Sequence, residues 1–215
     1  MRLKHLFITL FIVFSIVDIS MIFYNLKEVL WIPRLISLSS IVLYGYFSVK
    51  DVPKSFWILS FFIVLTGFFF SLDDYTLIGM CSLICLRFSW LKLIFDINTK
   101  IDKVILFIAF SITAVLFGMI LYLIYTDSIF YYLSIVTTIG LVLLLSTSFS
   151  LLTTKGVKLG NREMFISIAI FILSDALSGS KKITGTSMFY IMLSVVLYNT
   201  AYFFLMNAII KNRTK

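Results

Sequence analysis

Eight long apolar runs, parted by short charged gaps, constrain this 215-residue chain more than any other feature. A membrane-crossing helix takes about 20 mostly apolar residues. The runs have that character, at about 6–24, 29–47, 55–72, 75–95, 104–125, 128–152, 164–180 and 187–210. With 61% hydrophobic and only 13% charged residues, the chain cannot cover the surface of a water-soluble fold with polar side chains. Disorder is excluded too, because it goes with low hydrophobicity. The sequence therefore predicts an all-α fold: a polytopic transmembrane helical bundle of eight helices, forming a single integral membrane domain over 1–215. The gaps hold only a few residues, apart from the stretch from Thr153 to Glu163, so no soluble domain fits between runs. The first run follows Arg2 and Lys4, as the apolar core of a signal peptide would. It is too long for that core and lacks a small-x-small site after it, so it is expected to stay as a helix.

The 18 Lys and Arg against 10 Asp and Glu sit almost entirely in the gaps. That placement speaks for membrane topology and anionic headgroups, and against a nucleic-acid footprint. With the N-terminus inside, the inner side holds 13 basic residues and the outer side 4, namely Lys27, Arg34, Lys181 and Lys182, while Arg87 falls within a span. The positive-inside rule then puts both termini inside, as an even number of spans requires. A bacterial inner (plasma) membrane is the expected location, since no organelle-targeting or retention signal is present. Cys81 and Cys85, four apart in one run, read as buried small hydrophobes instead of a disulfide or metal pair. Neither a metal nor a cofactor is expected.

Ionisable groups within hydrocarbon are costly and face the bundle interior. They are Asp18, Arg34, Arg87 and Asp175, accompanied by the neutral Ser37, Tyr44, Ser174, Ser178, Tyr198 and Asn199. At the helical rise per residue, Asp18 lies roughly 18 Å and Asp175 roughly 16 Å along their runs, both in the outer half. Arg34 opens the second run on that side. Two carboxylates and a guanidinium at similar depth can converge on a polar pocket open to the outer leaflet. The plainer alternative has both aspartates capping or pairing for packing, with Arg34 reaching for headgroups. Arg87 is too deep to reach headgroups, and fits either an ion pair or a substrate contact. His5 is the single histidine, and it lies at the terminus, so histidine acid–base chemistry within the membrane is excluded. There is no G-x-S-x-G, no H-E-x-x-H and no Gly-rich phosphate loop.

Eight short spans together with the run 171-FILSDALS-178 resemble the YhhN family of lysoplasmalogenase-like membrane proteins. That family carries Phe-x-x-Ser-Asp in its seventh helix, which Phe171, Ser174 and Asp175 match in place. The resemblance implies hydrolysis of the vinyl-ether bond of a lysoplasmalogen or related lysolipid, with membrane-embedded acidic residues taking part. Other positions depart from the family pattern. Ile32-Pro33 stands for Lys-Pro, with the positive charge displaced to Arg34, and Gly67 is followed by Phe68 where the family has Gly-Asp. In the fourth run Gly79 fits, while Leu83, Arg87 and Trp90 occupy the places of Phe, His and Tyr. Near the end, Tyr198, Ala201 and Tyr202 stand where the family favours Ala-Gln after a Tyr.

Under this reading Asp175 is the first candidate acid or base and Asp18 the second carboxylate, with Arg34 binding phosphate or biasing both. Arg87, Ser174, Tyr198 and Asn199 complete the candidate substrate-binding set. Membrane lipid or lysophospholipid is the expected partner. A catalytically silent lipid-binding or sensing protein is the alternative, and a small transporter a further one. The hydrolase reading expects Asp18, Arg34 and Asp175 to line one cavity, whereas a transporter would continue a polar path inward past Arg87.

Overall fold

The computed structural model describes residues 2–98, 101–123, 125, 127–153, 159–179 and 188–213. Among them stand eight α-helices and no strand. They are α1 (Arg2–Phe23), α2 (Trp31–Ser48), α3 (Lys54–Phe70), α4 (Thr76–Ile97), α5 (Lys103–Leu123), α6 (Ile129–Thr153), α7 (Leu159–Gly179) and α8 (Met188–Arg213). Each predicted run corresponds to one helix. By length and composition, five helices can cross a membrane: α1, α4, α5, α6 and α8. That marks a membrane protein. The apolar α3 is shorter at 17 residues, α2 holds the single charge of Arg34, and α7 holds Arg162, Glu163 and Asp175.

The helix ends follow local chemistry. Asn25 adopts φ 57° after α1, and the amides of Asn25 and Leu26 donate to the carbonyls of Ile22 and Met21. This closes the helix with a left-handed residue that Asn tolerates. Both prolines fall at helix starts, Pro33 in the first turn of α2 and Pro53 just before α3, where a missing N–H costs nothing. The Asp102 carboxylate accepts the amides of Val104 and Ile105 at the start of α5.

The packing order runs α1, α2, α3, α4, α6, α7, α8, and α8 returns to both α1 and α2, which closes the bundle. Helix α5 packs chiefly on α6 from outside, with 6% of its span buried. The core lies where α2, α3, α4, α7 and α8 meet, with Trp90, Tyr202, Phe56, Leu38, Leu59 and Ile63 fully enclosed.

Two interfaces set the register near the polar residues. On α7, Gly160, Ser167 and Ser174 recur every seven residues, facing Ala208, Ala201 and Ser194 on the antiparallel α8. The hydroxyl of Ser167 donates to the Ala201 carbonyl at 2.6 Å, and that of Ser174 to the Ser194 carbonyl at 2.8 Å. A Cβ on Gly160 would come within 2.5 Å of the Ala208 carbonyl oxygen. Small residues thus let the two backbones approach while polar side chains tie them together, as in lipid they must. On α1 and α2, the hydroxyls of Ser15 and Ser37 lie 2.8 Å apart, one turn below the Asp18 and Arg34 pair.

The structure corrects two expectations. Leu159–Glu163, read as part of a long gap, belongs to α7, because Gly160 and Asn161 are buried against neighbouring helices. The Asn161 side chain donates to the Leu151 carbonyl and accepts from Asn212, which satisfies its amide within this extra turn. Residues 154–158 of that gap, with the ends of the seventh and eighth runs at Ser180 and Ser187, lie outside the described residues, as do Lys181 and Lys182. Cys81 and Cys85 are exposed, not buried. The inner face of α4 is taken by Ser82, Leu83, Leu86, Arg87, Ser89, Trp90 and Leu93, leaving the cysteines on the outward stripe.

Candidate functional site

The four ionisable residues singled out within the spans gather in the half of the bundle opposite the chain termini, and they do so as two ion pairs. Arg34 meets Asp18 side-on, its Nε and Nη2 donating to the two carboxylate oxygens at 3.1 and 3.2 Å. Asp18 is 1% exposed and Arg34 13%. Fork-to-carboxylate pairing of this kind fixes both groups and uses one edge of the guanidinium, leaving its Nη1 end for another acceptor.

The second pair joins α4 to α7. Arg87 Nη2 donates to Asp175 Oδ2, and Nη1 donates to the Thr137 carbonyl on α6. The stem of Arg87 lies flat against Gly140, where an added Cβ would stand 3.2 Å from the arginine's own Cβ. Helical side chains lean toward the N-terminus of their helix. Arg87 therefore leans away from the termini while Asp175, on an oppositely directed helix, leans toward it. Arg87 is 4% exposed, whereas Asp175 is 26% exposed.

Tyr198 stands on α8 against α7, its ring beside Phe171 one turn from Asp175. The fully buried Tyr202, one turn along, donates its own hydroxyl to that of Tyr198 at 2.6 Å. Phe171 packs 5.2 Å from the Tyr198 ring, 6.0 Å from Tyr202 and 5.5 Å from Trp90, so an aromatic wall backs the polar groups. Trp90 is anchored by donating Nε1–H to the Met164 sulfur at 3.2 Å.

Of the residues singled out from sequence, Asp18 and Arg34 are brought together directly, and Asp175 pairs with Arg87 instead of joining them. Ser174 spends its hydroxyl on α8. Asn199 is buried, with its side-chain nitrogen lacking a partner among the described residues. Tyr44 donates to Asn207 at 3.3 Å, toward the other end of the bundle, and Ser178 is exposed. Sequence reasoning did not assign roles to the Thr137 carbonyl or to Tyr202. The backbone contact leaves no mark in sequence, but Tyr202 does, standing four residues after Tyr198 on one helix face. Among the described residues, no three His, Cys, Asp or Glu side chains group as metal ligands. No family model matches the chain, nor does any curated protein or solved structure. The geometry itself must carry the functional reading.

Proposed function

We propose that this protein is a lysoplasmalogenase-like hydrolase of the membrane, cleaving the vinyl-ether bond of a lysoplasmalogen or related lysolipid in a bacterial inner membrane. The observation that carries this reading is the unequal treatment of the two carboxylates. Asp18 is bound at both oxygens and enclosed, while Asp175 is held at one oxygen and remains a quarter exposed. Asp175 is thus the group a substrate can meet, and Asp18 is the anchor that orients Arg34.

In the proposed reaction, protonated Asp175 delivers its proton to the outer alkene carbon, leaving positive charge shared between the adjacent carbon and the ether oxygen. Water adds to that adjacent carbon and returns a proton to the carboxylate. The resulting hemiacetal then breaks its bond to the glyceryl oxygen, giving an aldehyde and a free glycerol hydroxyl. One carboxylate acting in turn as acid and base satisfies the proton balance. Arg87 holds Asp175 in place and offsets the carboxylate's charge in the interval between giving its proton to the alkene and regaining one from water.

The test is aldehyde release from lysoplasmenylethanolamine by the purified protein, with Asp175→Asn alongside. Release by the native chain that vanishes in the variant supports the reading. Release that survives the substitution refutes the site. A native chain that binds the lysolipid without cleaving it is a silent lipid-binding protein, a role the two closed ion pairs also suit.

A further inference from the structure

The hairpin of α5 and α6 carries a single charge, and it sits at the tip. Between Lys103 and Lys155 the sequence holds one charged residue, Asp127. It is exposed and forms no ion pair among the described residues. Tyrosines stand beside it. The Tyr132 hydroxyl donates to Asp127 Oδ1 at 3.4 Å, and the Tyr132 ring lies 5.9 Å from that of Tyr131, tilted by 71°. Tyr125 meets the same Tyr131 ring at 5.1 Å and 84°. Two exposed rings, Tyr125 and Tyr132, are thus set steeply against Tyr131 next to a carboxylate.

This aromatic corner is fastened to the mouth of a groove. The Tyr131 hydroxyl donates to the Leu121 carbonyl at 3.3 Å. Leu121, with Phe110, Phe117, Gly118, Ile139 and Val142, lines an apolar groove of about 200 Å³ between α5 and α6. From Phe110 to Leu121 the groove follows about 16 Å of helix, close to half the thickness of the hydrocarbon core. Nothing lies within 4 Å of a Cβ placed on Gly118, so the groove is open there. Spread along that length, its volume admits one acyl chain but not a helix, which is about 10 Å across. Thr137 and Gly140 meet Arg87 on another face of α6, so the groove is separate from that ion pair.

We propose that the α5–α6 hairpin binds a zwitterionic phospholipid, with one acyl chain in the groove and the headgroup ammonium against Asp127 and the tyrosine corner. Charge decides the occupant. A lone carboxylate at headgroup depth attracts an ammonium and repels an anionic headgroup. Tyrosine faces favour the same cation, a quaternary ammonium above all. The site does not rest on the hydrolase reading, since neither Asp175 nor Arg87 takes part in it.

The test measures binding. Phosphatidylcholine, phosphatidylethanolamine and phosphatidylglycerol with identical acyl chains are titrated into the full chain in detergent micelles, and native mass spectrometry reads the lipid retained. At least one zwitterionic lipid is expected to bind about fivefold or more tightly than phosphatidylglycerol. Stronger binding of phosphatidylcholine assigns the site to a quaternary ammonium. Stronger binding of phosphatidylethanolamine assigns it to a primary ammonium that donates to Asp127. Asp127→Asn should cut the preference severalfold without weakening phosphatidylglycerol. Gly118→Leu, which fills the groove, should weaken all three lipids. Both positions are exposed, so neither variant disturbs the core. Equal retention of the three lipids, as a plain interfacial belt of tyrosines would give, overturns the proposal. So does a preference that survives Asp127→Asn, or retention that survives Gly118→Leu. A dimer that Gly118→Leu dissociates, with no lipid retained by the native chain, gives the groove to a second copy and overturns it as well.

Discussion

Arg87 on α4 and Asp175 on α7 form an ion pair across 88 positions of the chain. The same guanidinium donates to the Thr137 carbonyl, so three helices are joined at one side chain. Helix α5 intervenes in sequence but stands outside the contact.

Removing one partner of this pair leaves the other charge uncompensated inside the bundle. Arg87→Met is therefore expected to destabilise the protein by about 3–5 kcal/mol. The double variant Arg87→Met with Asp175→Leu should recover most of that loss, since two apolar side chains carry no unpaired charge. Reversible unfolding in mixed micelles checks both values, and a double variant no better than the single would refute the account.

Arg34→Lys should fail to replace Arg34 even though it keeps the charge. Lysine cannot reproduce the two parallel bonds from Nε and Nη2 to Asp18. A loss of about 1–3 kcal/mol is expected, one buried carboxylate oxygen being left without its donor. Stability equal to that of the native chain would show that charge alone matters here.

Gly160 and Gly118 should respond oppositely to alanine. At Gly160 an added methyl meets the Ala208 carbonyl oxygen at 2.5 Å and the Asn212 side chain at the same distance, so α7 and α8 must separate. A cost of about 1–3 kcal/mol follows from such overpacking. At Gly118 nothing lies within 4 Å, and the substitution should be neutral or stabilising by up to about 1 kcal/mol through helix propensity. Thermal unfolding of the two variants side by side is sufficient to compare them.

The alternation of helices places Asn25 and Asp51 at opposite ends of the bundle, and both are exposed. In a chain with Cys81 and Cys85 replaced by Ser, a cysteine introduced at Asn25 should react with an impermeant thiol reagent on intact cells. One at Asp51 should react only after permeabilisation, as the distribution of basic residues requires. The reverse pattern would invert the orientation.

Much of the fold is legible in the apolar runs, because a helix is the answer hydrocarbon imposes on a single segment. The polar residues within those runs are equally visible, since each stands out against an apolar background. Their partners are another matter. Asp18 and Arg34 could be paired from sequence, lying on consecutive helices at matching depth. Asp175 could not be assigned to Arg87 that way, because α4 reaches α7 only through a packing order that displaces α5.

The sequence by itself determined the helices, their number among the described residues, their approximate ends and the few costly groups they carry. Only the tertiary structure decided which helix faces which, and so which carboxylate is enclosed and which remains accessible. The physical reason lies in the solvent. In water, an amphipathic stripe announces the buried face of a helix, but a helix surrounded by lipid is apolar on every side. Neighbours are then chosen by close packing of small residues, such as Gly160, Ser167 and Ser174 against Ala208, Ala201 and Ser194, and by the pairing of buried charges. Those choices depend on shape in three dimensions, which hydrophobicity along the chain does not encode.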